Sequence, residues 1–285
     1  MRTLLPTVTL FLAAAPGVAL AQAAPESAAA AEPNVFDGDR LTVGVGGIYG
    51  PSYKGSDDSV LVPVPLVQGS LRGVAITPRA GGIALDLVPD GKDARIGLSL
   101  GPVATLSGNR NRQIKDPVVR AAGKLKRAID LGANAGVTAY RLLNPYDSLT
   151  LSTDVTWNAN NAHRGMIVSP RLTYVTPLSR AALVTLSLGA DHVDGDYARY
   201  YFDVSPAQSA ASGLPLYRAK GGWASLGGGA LVGYDLDGDL RNGGFALFAL
   251  GGYQRLLNDA RANPYTAIRG SADQWTAGAG IAYTF

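Results

Sequence analysis

Hydrophobic and polar positions alternate along several stretches of this chain. In "LTVGVGGIY", Leu41, Val43, Val45, Gly47 and Tyr49 share one parity. In "IGLSLGPVATLS", Ile96, Leu98, Leu100, Ala104 and Leu106 oppose Gly97, Ser99, Gly101, Thr105 and Ser107. "IDLGANAGVTA" sets Ile129, Leu131, Ala133, Ala135 and Val137 against Asp130, Gly132, Asn134, Gly136 and Thr138. "LTLSTDVTW" sets Leu149, Leu151, Val155 and Trp157 against Thr150, Ser152, Asp154 and Thr156. A period of two is the strand period, with successive side chains on opposite faces. Each run is about ten residues long, the length a tilted strand needs to cross a bilayer.

Less regular strands are expected over 59–68, 71–78, 82–88, 166–176, 181–191, 223–235 and 244–256, and a last one in "WTAGAGIAYTF". That makes about twelve strands, within a range of ten to fourteen. With the N-terminus placed in the periplasm, the even connections are short: "GSLR", "PDGKDA", "LNPYD", "PLSRA" and "DGDLRNGG". Four of the odd ones are long or irregular: "GPSYKGSDD", 108–127, 192–222 and 257–272. Short periplasmic turns with longer outer loops are the pattern of outer-membrane barrels, and a soluble sandwich has no reason to sort its loops by parity. The predicted fold is all-β, a transmembrane antiparallel up-and-down barrel.

Composition agrees. Charged residues make up 16% of the chain, and it contains 36 glycines and no cysteine. Disulfide frameworks and thiolate metal sites are thereby excluded. A net charge of +3 is too small to argue for a nucleic-acid partner. The start "MRTLLPTVTLFLAAAPGVALAQA" reads as a secretory signal peptide over 1–21, cleaved after Ala21. An Ala-, Pro- and Glu-rich lead over 22–38 follows, expected to be disordered in the periplasm, and the barrel then occupies 39–285. No later apolar run is long enough for a membrane helix, and a closed barrel is the other structure that satisfies every backbone group in lipid.

The end of the chain carries its own signal. Ile281, Tyr283 and Phe285 fall on one face, with Phe last and Tyr two residues before it. This resembles the C-terminal signal by which the barrel assembly machinery recognises outer-membrane proteins.

Three stretches resemble the family of MltA-interacting proteins, also called MipA/OmpV. They are "GGIYGPSYKGSDDSVLVPVPLV", with Tyr53, Gly55, Ser56, Asp57 and Pro65; "YYFDVSPAQSAASGLPLYRAKGG", with Tyr201, Val204, Ser212, Gly213 and Tyr217; and "YQRLLNDARANPYTAIRGSADQWTAGAGIAYTF", with Leu256, Asp259, Pro264, Gly270, Ser271, Gln274 and Phe285. The third is the most specific. Asn263 stands where the family pattern leads one to expect serine. The resemblance implies a Gram-negative outer-membrane barrel that acts as a scaffold, tethering a murein lytic transglycosylase and a peptidoglycan synthase. It implies no cofactor and no partner-binding residues. A channel for small polar solutes or drugs, or an adhesin working through the outer loops, are the alternatives. The lead over 22–38 and the turn at 235–243 are the expected partner contacts under the scaffold reading.

Candidate chemistry is sparse. "ADHVDGDY" offers Asp191 and His192, but neighbours on a strand face opposite sides. Parity puts Asp191 inward and His192 at the lipid–water interface, which argues against an enzyme; a pair with Asp194 stays open if the strand ends early. "DLDGDL" (235–240) lacks the twelfth-position glutamate of a calcium loop, Ala246 standing there, and reads as a turn. The stretch 108–127 is basic, and Arg120, Lys124, Lys126 and Arg127 are candidate contacts to lipopolysaccharide phosphates. Asp86, Asp130, Asp154 and Arg171 have inward parity. Asp154 and Arg171 are expected as diagonal neighbours forming an ion pair in the lumen.

Overall fold

A computed structural model describes residues 38–285 other than Lys92 and Arg112. The expected signal peptide, and the expected lead as far as residue 37, lie outside the described residues.

The strands are β1 (Arg40–Pro51), β2 (Ser59–Leu71), β3 (Val74–Arg79), β4 (Gly82–Asp86), β5 (Ile96–Ser107) and β6 (Ala128–Tyr140). They continue with β7 (Ser148–Asn158), β8 (Met166–Pro177), β9 (Ala182–Val193), β10 (Gly222–Asp235), β11 (Gly244–Leu256) and β12 (Asp273–Thr284). Every strand pairs antiparallel with its sequence neighbour, and β1 pairs with β12, so the sheet closes into a twelve-stranded barrel. Closure leaves no free terminal edge. The expected strands are all present, with ends shifted by a few residues. The "GSLR" connection is the exception in kind: β2 runs on through Leu71, and only Arg72 and Gly73 form the turn.

The register confirms the parity reading. Leu41, Val43, Val45 and Tyr49 of β1 lie opposite Gly69, Val67, Pro65 and Leu61 of β2. Across the closing seam, Val43 and Val45 lie opposite Tyr283 and Ile281 of β12. These side chains form the lipid face; Val45 is 59% and Leu61 64% exposed. Aromatic residues mark both ends of that face. Tyr253 and Trp275 touch at the outer end, ring centroids 4.8 Å apart, and Phe245, Tyr283 and Phe285 form a chain of edge contacts at the periplasmic end. Aromatic rings at the two interfaces are the girdles of an outer-membrane barrel.

Inward residues are small where the wall is crowded. A Cβ on Gly46 would come within 2.8 Å of the Phe248 ring, and one on Gly280 within 2.4 Å. Phe248 thus lies across both glycines and fills the lumen beside the seam. On β10 a bulge at Ala224 lets Trp223 stay opposite His192 while Ser225 comes opposite Asp191.

Among the described residues the helices all sit in outer connections: α1 (Pro117–Ala121), α2 (Gly195–Phe202), α3 (Pro206–Ser212), α4 (Asn258–Ala262) and α5 (Pro264–Ala267).

Candidate functional site

The long outer loops fold into a cap over the mouth of the barrel. Four of the described helices start on a side chain suited to their free N–H groups; at α5 it is Asn263, which accepts from Thr266 N–H. Asp116 accepts from Val118 and Val119 N–H, and Asp194 from Tyr197 N–H. Ser205 and Gln208 form a reciprocal capping box at α3. In α2, Tyr197, Ala198, Tyr201 and Phe202 recur at helical spacing and are all buried. They pack with Val193, Ala219, Ala224, Leu256 and Ala260 into one apolar cluster. A second cluster joins Tyr53, Ile114, Val119, Val204, Leu214 and Tyr265. All four long outer loops therefore meet in one core.

Polar clamps fix this cap to the wall. Arg269 donates from Nε and Nη2 to Asp116 Oδ2, at 3.0 and 2.6 Å. Buried Gln274 of β12 accepts from Gly55 N–H and donates to the Ser56 carbonyl. Gly55 is the family-pattern glycine for a physical reason: its φ is +100°, and a Cβ there would lie 2.2 Å from Thr266 Oγ1. Buried Arg110 lies with its guanidinium 4.0 Å from the Tyr265 ring centroid. Asp116 is drawn below the ordinary carboxylate range. Its burial opposes this, but the Val119 and Val118 N–H groups and Arg269 outweigh burial. Burial, with the Asp259 carboxylate beside it, pushes the Tyr217 phenol up to about 12.

Beneath the cap is a cavity of about 550 Å³ lined by Tyr53, Lys54, Val60, Val62, Gln254 and Gln274 among others. Lys54 lies 3.7 Å from Asp191 and 3.5 Å from the Tyr197 hydroxyl. Burial alone would lower the ammonium; the Tyr197 phenol and the Asp191 carboxylate outweigh it and hold Lys54 above its ordinary range. Asp191 also accepts from Ser169 and Ser225 hydroxyls at 2.8 and 2.9 Å.

The interior holds two more acidic centres, Asp154 in the middle of β7 and Asp130 near the outer end of β6. Asp154 accepts from Arg79 Nε at 2.6 Å and from Asn134 Nδ2 at 2.5 Å. This corrects the expected partner. Arg171 does sit diagonally, since Ser152 faces Arg171 and Asp154 faces Ser169, but the carboxylate turns across the lumen to the guanidinium at the tip of β3. A fork that donates from two nitrogens, Nε and Nη2, outcompetes the diagonal neighbour. Asp130 meets His163 Nε2 at 2.8 Å, both side chains being almost wholly buried. His163 Nδ1 accepts from Gly165 N–H at 3.0 Å, so the ring proton lies on Nε2 and is donated to Asp130. With both nitrogens engaged, the pair braces the loop after β7. Sequence reading passed over His163 because it lies in a loop, outside the alternating runs. Asp86 accepts from Leu100 N–H, standing in for a strand partner of β5.

The remaining candidates fall as follows. His192 packs edge-on against Trp223 on the outer side, ring centroids 5.3 Å apart, while Asp194 caps α2 and also accepts from Met166 N–H. "DLDGDL" is a turn in which Asp235 accepts from Asp237 and Asp239 N–H. The basic stretch is divided among several tasks. Lys126 Nζ donates to the Asn160 carbonyl, Arg127 is half-buried against the cavity, and Arg120 and Lys124 are exposed. Ile281, Tyr283 and Phe285 share the lipid face of the last strand.

The sequence matches the family model described as "MltA-interacting protein MipA" over residues 43–285. It is 29% identical over 188 residues to the outer membrane protein OmpV of Vibrio cholerae and, to the same extent, to Omp26La of Vibrio anguillarum. Each match covers 66% of this chain and 66% of the relative, so the chain spans just under two thirds of the length of these relatives. Among solved structures, an outer membrane channel of Pseudomonas putida F1 is similar at a TM-score of 0.43 and 16% identity, covering 87% of this chain and 96% of that one. OprD of Pseudomonas aeruginosa is similar at 0.36 and 12%, covering 86% and 65%.

Proposed function

The chain belongs to the MltA-interacting protein MipA family, and on that premise we propose that it is a non-catalytic outer-membrane scaffold tethering a murein lytic transglycosylase and a peptidoglycan synthase at its periplasmic rim. The observation that carries this reading is the division of labour between the two ends. The outer mouth is filled by a cap with its own core, and the lumen is crossed by the Lys54–Asp191 and Arg79–Asp154 pairs. Such a barrel serves well as a rigid anchor.

The periplasmic end offers a built surface. Asp147 accepts from Leu142 and Leu143 N–H and from the Tyr174 hydroxyl, and Arg141 donates to the Asp93 and Ala94 carbonyls of the neighbouring turn. Two turns are thus laced together while Leu143 and Tyr146 stand 83% and 79% exposed. Exposed apolar anchors on a fixed backbone suit a protein partner. The turn after β10 is fixed as well, by Asp235 and by the Arg241–Asp239 pair, and joins this surface in the proposal. Affinity capture of the detergent-extracted protein, followed by mass spectrometry, tests it. Recovery of both enzymes with the natural protein, and their loss with Leu143→Asp and Tyr146→Asp, is the expected result. Absence of both from captures of a heat-modifiable, folded barrel overturns it.

A second reading rests on the cavity beneath the cap: a channel for small solutes, tested by conductance in planar bilayers. For the outer surface we propose that exposed Arg120, Lys124 and Lys126, together with half-buried Arg127, meet lipopolysaccharide phosphates. Charge reversal at Lys124, Lys126 and Arg127 that left lipopolysaccharide binding unchanged would remove that contact.

A further inference from the structure

One strand edge of the wall is left without a strand partner over most of its length. β2 reads "SVLVPVPLVQGSL" and is apolar on both faces: Leu61, Pro63, Pro65 and Val67 point to lipid, and Val60, Val62, Val64 and Leu66 point inward. Its ladder is complete toward β1, from Pro51–Ser59 to Arg40–Ser70. Toward β3 it is formed at Gly69–Ile76, Ser70–Ala75 and Leu71–Val74 alone. Among the described residues, Val60 to Gln68 have no strand partner on that side.

The prolines explain how a bare edge is tolerated. Arg72 and Gly73 have φ of 51° and 81°, the two-residue turn with both central residues in the left-handed region. Such a turn closes on a hydrogen-bonded pair, here Leu71 and Val74. Backbone groups alternate in direction along a strand, so the odd residues of β2 and the even residues of β3 direct theirs into the space between the two strands. On β2 these are Leu61, Pro63, Pro65 and Val67; on β3 the next in line after Ile76 is Pro78. All three prolines of these two strands therefore fall on the bare edges. Each removes an N–H that would otherwise stand unpaired in lipid. Pro78 also explains why the ladder stops at Ile76, because the next pair would need its missing donor. β3 turns back at Arg79, well short of the level of Val60, and Lys115 Nζ caps the top of the edge through the Ser59 carbonyl at 2.6 Å.

The bare edge adjoins the cavity beneath the cap. Val60, Val62 and Pro63 belong to the cavity lining, and Val62, although of inward parity, is 43% exposed. Val64 and Leu66 continue its face downward.

We propose that the interval between β2 and β3 is a lateral portal through which a small apolar molecule passes between the cavity and the outer leaflet. The chemistry of the edge selects this occupant. Apolar side chains on both faces favour an apolar molecule over a polar solute, which would have to leave its hydration behind. A peptide strand added to the edge would find no donor at positions 63 and 65, so strand addition is blocked. The portal is independent of the scaffold role and stands or falls separately from it.

The chain has no cysteine, so single-cysteine variants report cleanly. The experiment uses full-length protein in lipid vesicles, carrying a nitroxide at Val64→Cys. Thr150→Cys, inward on fully paired β7, and Leu151→Cys, facing lipid, are the references. Relaxation by lipid-dissolved oxygen, compared with an aqueous nickel chelate, is expected to place position 64 with 151 and apart from 150. A label at 64 that behaves like 150 overturns the portal. The transport arm measures entry of N-phenyl-1-naphthylamine into cells bearing the natural protein, Val62→Trp or Leu66→Trp, each verified as folded by heat-modifiable mobility. Entry several-fold faster with the natural protein than without it, and reduced by either tryptophan, supports the proposal. Equal entry in all strains overturns it.

Discussion

Arg79, at the tip of the six-residue strand β3, and Asp154, in the middle of β7, meet across the lumen at 2.6 Å although β4, β5 and β6 lie between their strands in the sheet. Both side chains are about nine-tenths buried. Removing one member of such a pair leaves a buried charge without its partner, a loss of roughly 3–5 kcal/mol. Arg79→Ala is therefore expected to lower the heat-modification midpoint on gels markedly, and Arg171→Ala to leave it nearly unchanged. A double-mutant cycle between positions 79 and 154 should show strong coupling, whereas one between 154 and 171 should be close to additive.

Acid should loosen the cap before it unfolds the barrel. Asp116 titrates below its ordinary value of 3.8 in the folded protein. A depressed carboxyl contributes stability that is complete above the unfolded value and is lost as the pH falls through the folded one. Amide exchange at Val118 and Val119 should accordingly stay slow above about pH 4 and accelerate below it. Asp116→Ala, which removes the acceptor, should abolish that pH dependence and give fast exchange throughout.

Gly55→Ala combines a positive φ with a Cβ 2.2 Å from Thr266 Oγ1. Substitution by alanine where φ is positive costs about 1 kcal/mol or more, and the clash adds to it. The expected result is faster proteolysis in 194–221 and 257–272 with an unchanged heat-modification midpoint. Equal lowering of both would mean that cap and barrel melt as one unit.

Phe285→Ser and Tyr283→Ser remove rings that meet edge-on in series with Phe245 at the periplasmic end. Each is expected to reduce the folded, heat-modifiable fraction recovered from outer membranes several-fold. If refolding of the purified variants into detergent is unaffected, the defect lies in recognition by the assembly machinery.

The strands were legible because lipid and lumen impose opposite demands on successive side chains, as Leu149, Leu151 and Trp157 against Thr150, Ser152 and Asp154 show. The lumen pairing was not. Parity reveals which residues enter the barrel, but inside it a long arginine reaches strands far from its own, and neighbourhood in the sheet ceases to decide. The cap helices were hidden for another reason. α4 and α5 have 5 and 4 residues, too short for a helical period to emerge, and take their stability from tertiary burial. In β2 the double apolar face gave no alternation at all, and its prolines acquire meaning only once the turn at Arg72 and Gly73 fixes which way they face.

Eleven of the barrel's strand pairings join neighbours in sequence, and one joins β1 to β12. Thr42 and Thr284, whose hydroxyls lie 2.8 Å apart, are 242 positions distant along the chain. The hairpins can each form as soon as their own residues are present, whereas that twelfth pairing must wait for the last segment of the polypeptide. Its entropic cost is met late, and the time the chain spends with two strand edges unsealed is set by how quickly the two ends find each other. At its middle, Gly46 faces Gly280, so the inner surface there carries only the Phe248 ring laid across from β11. Zipping of the final ladder then needs little rearrangement once the ends have met.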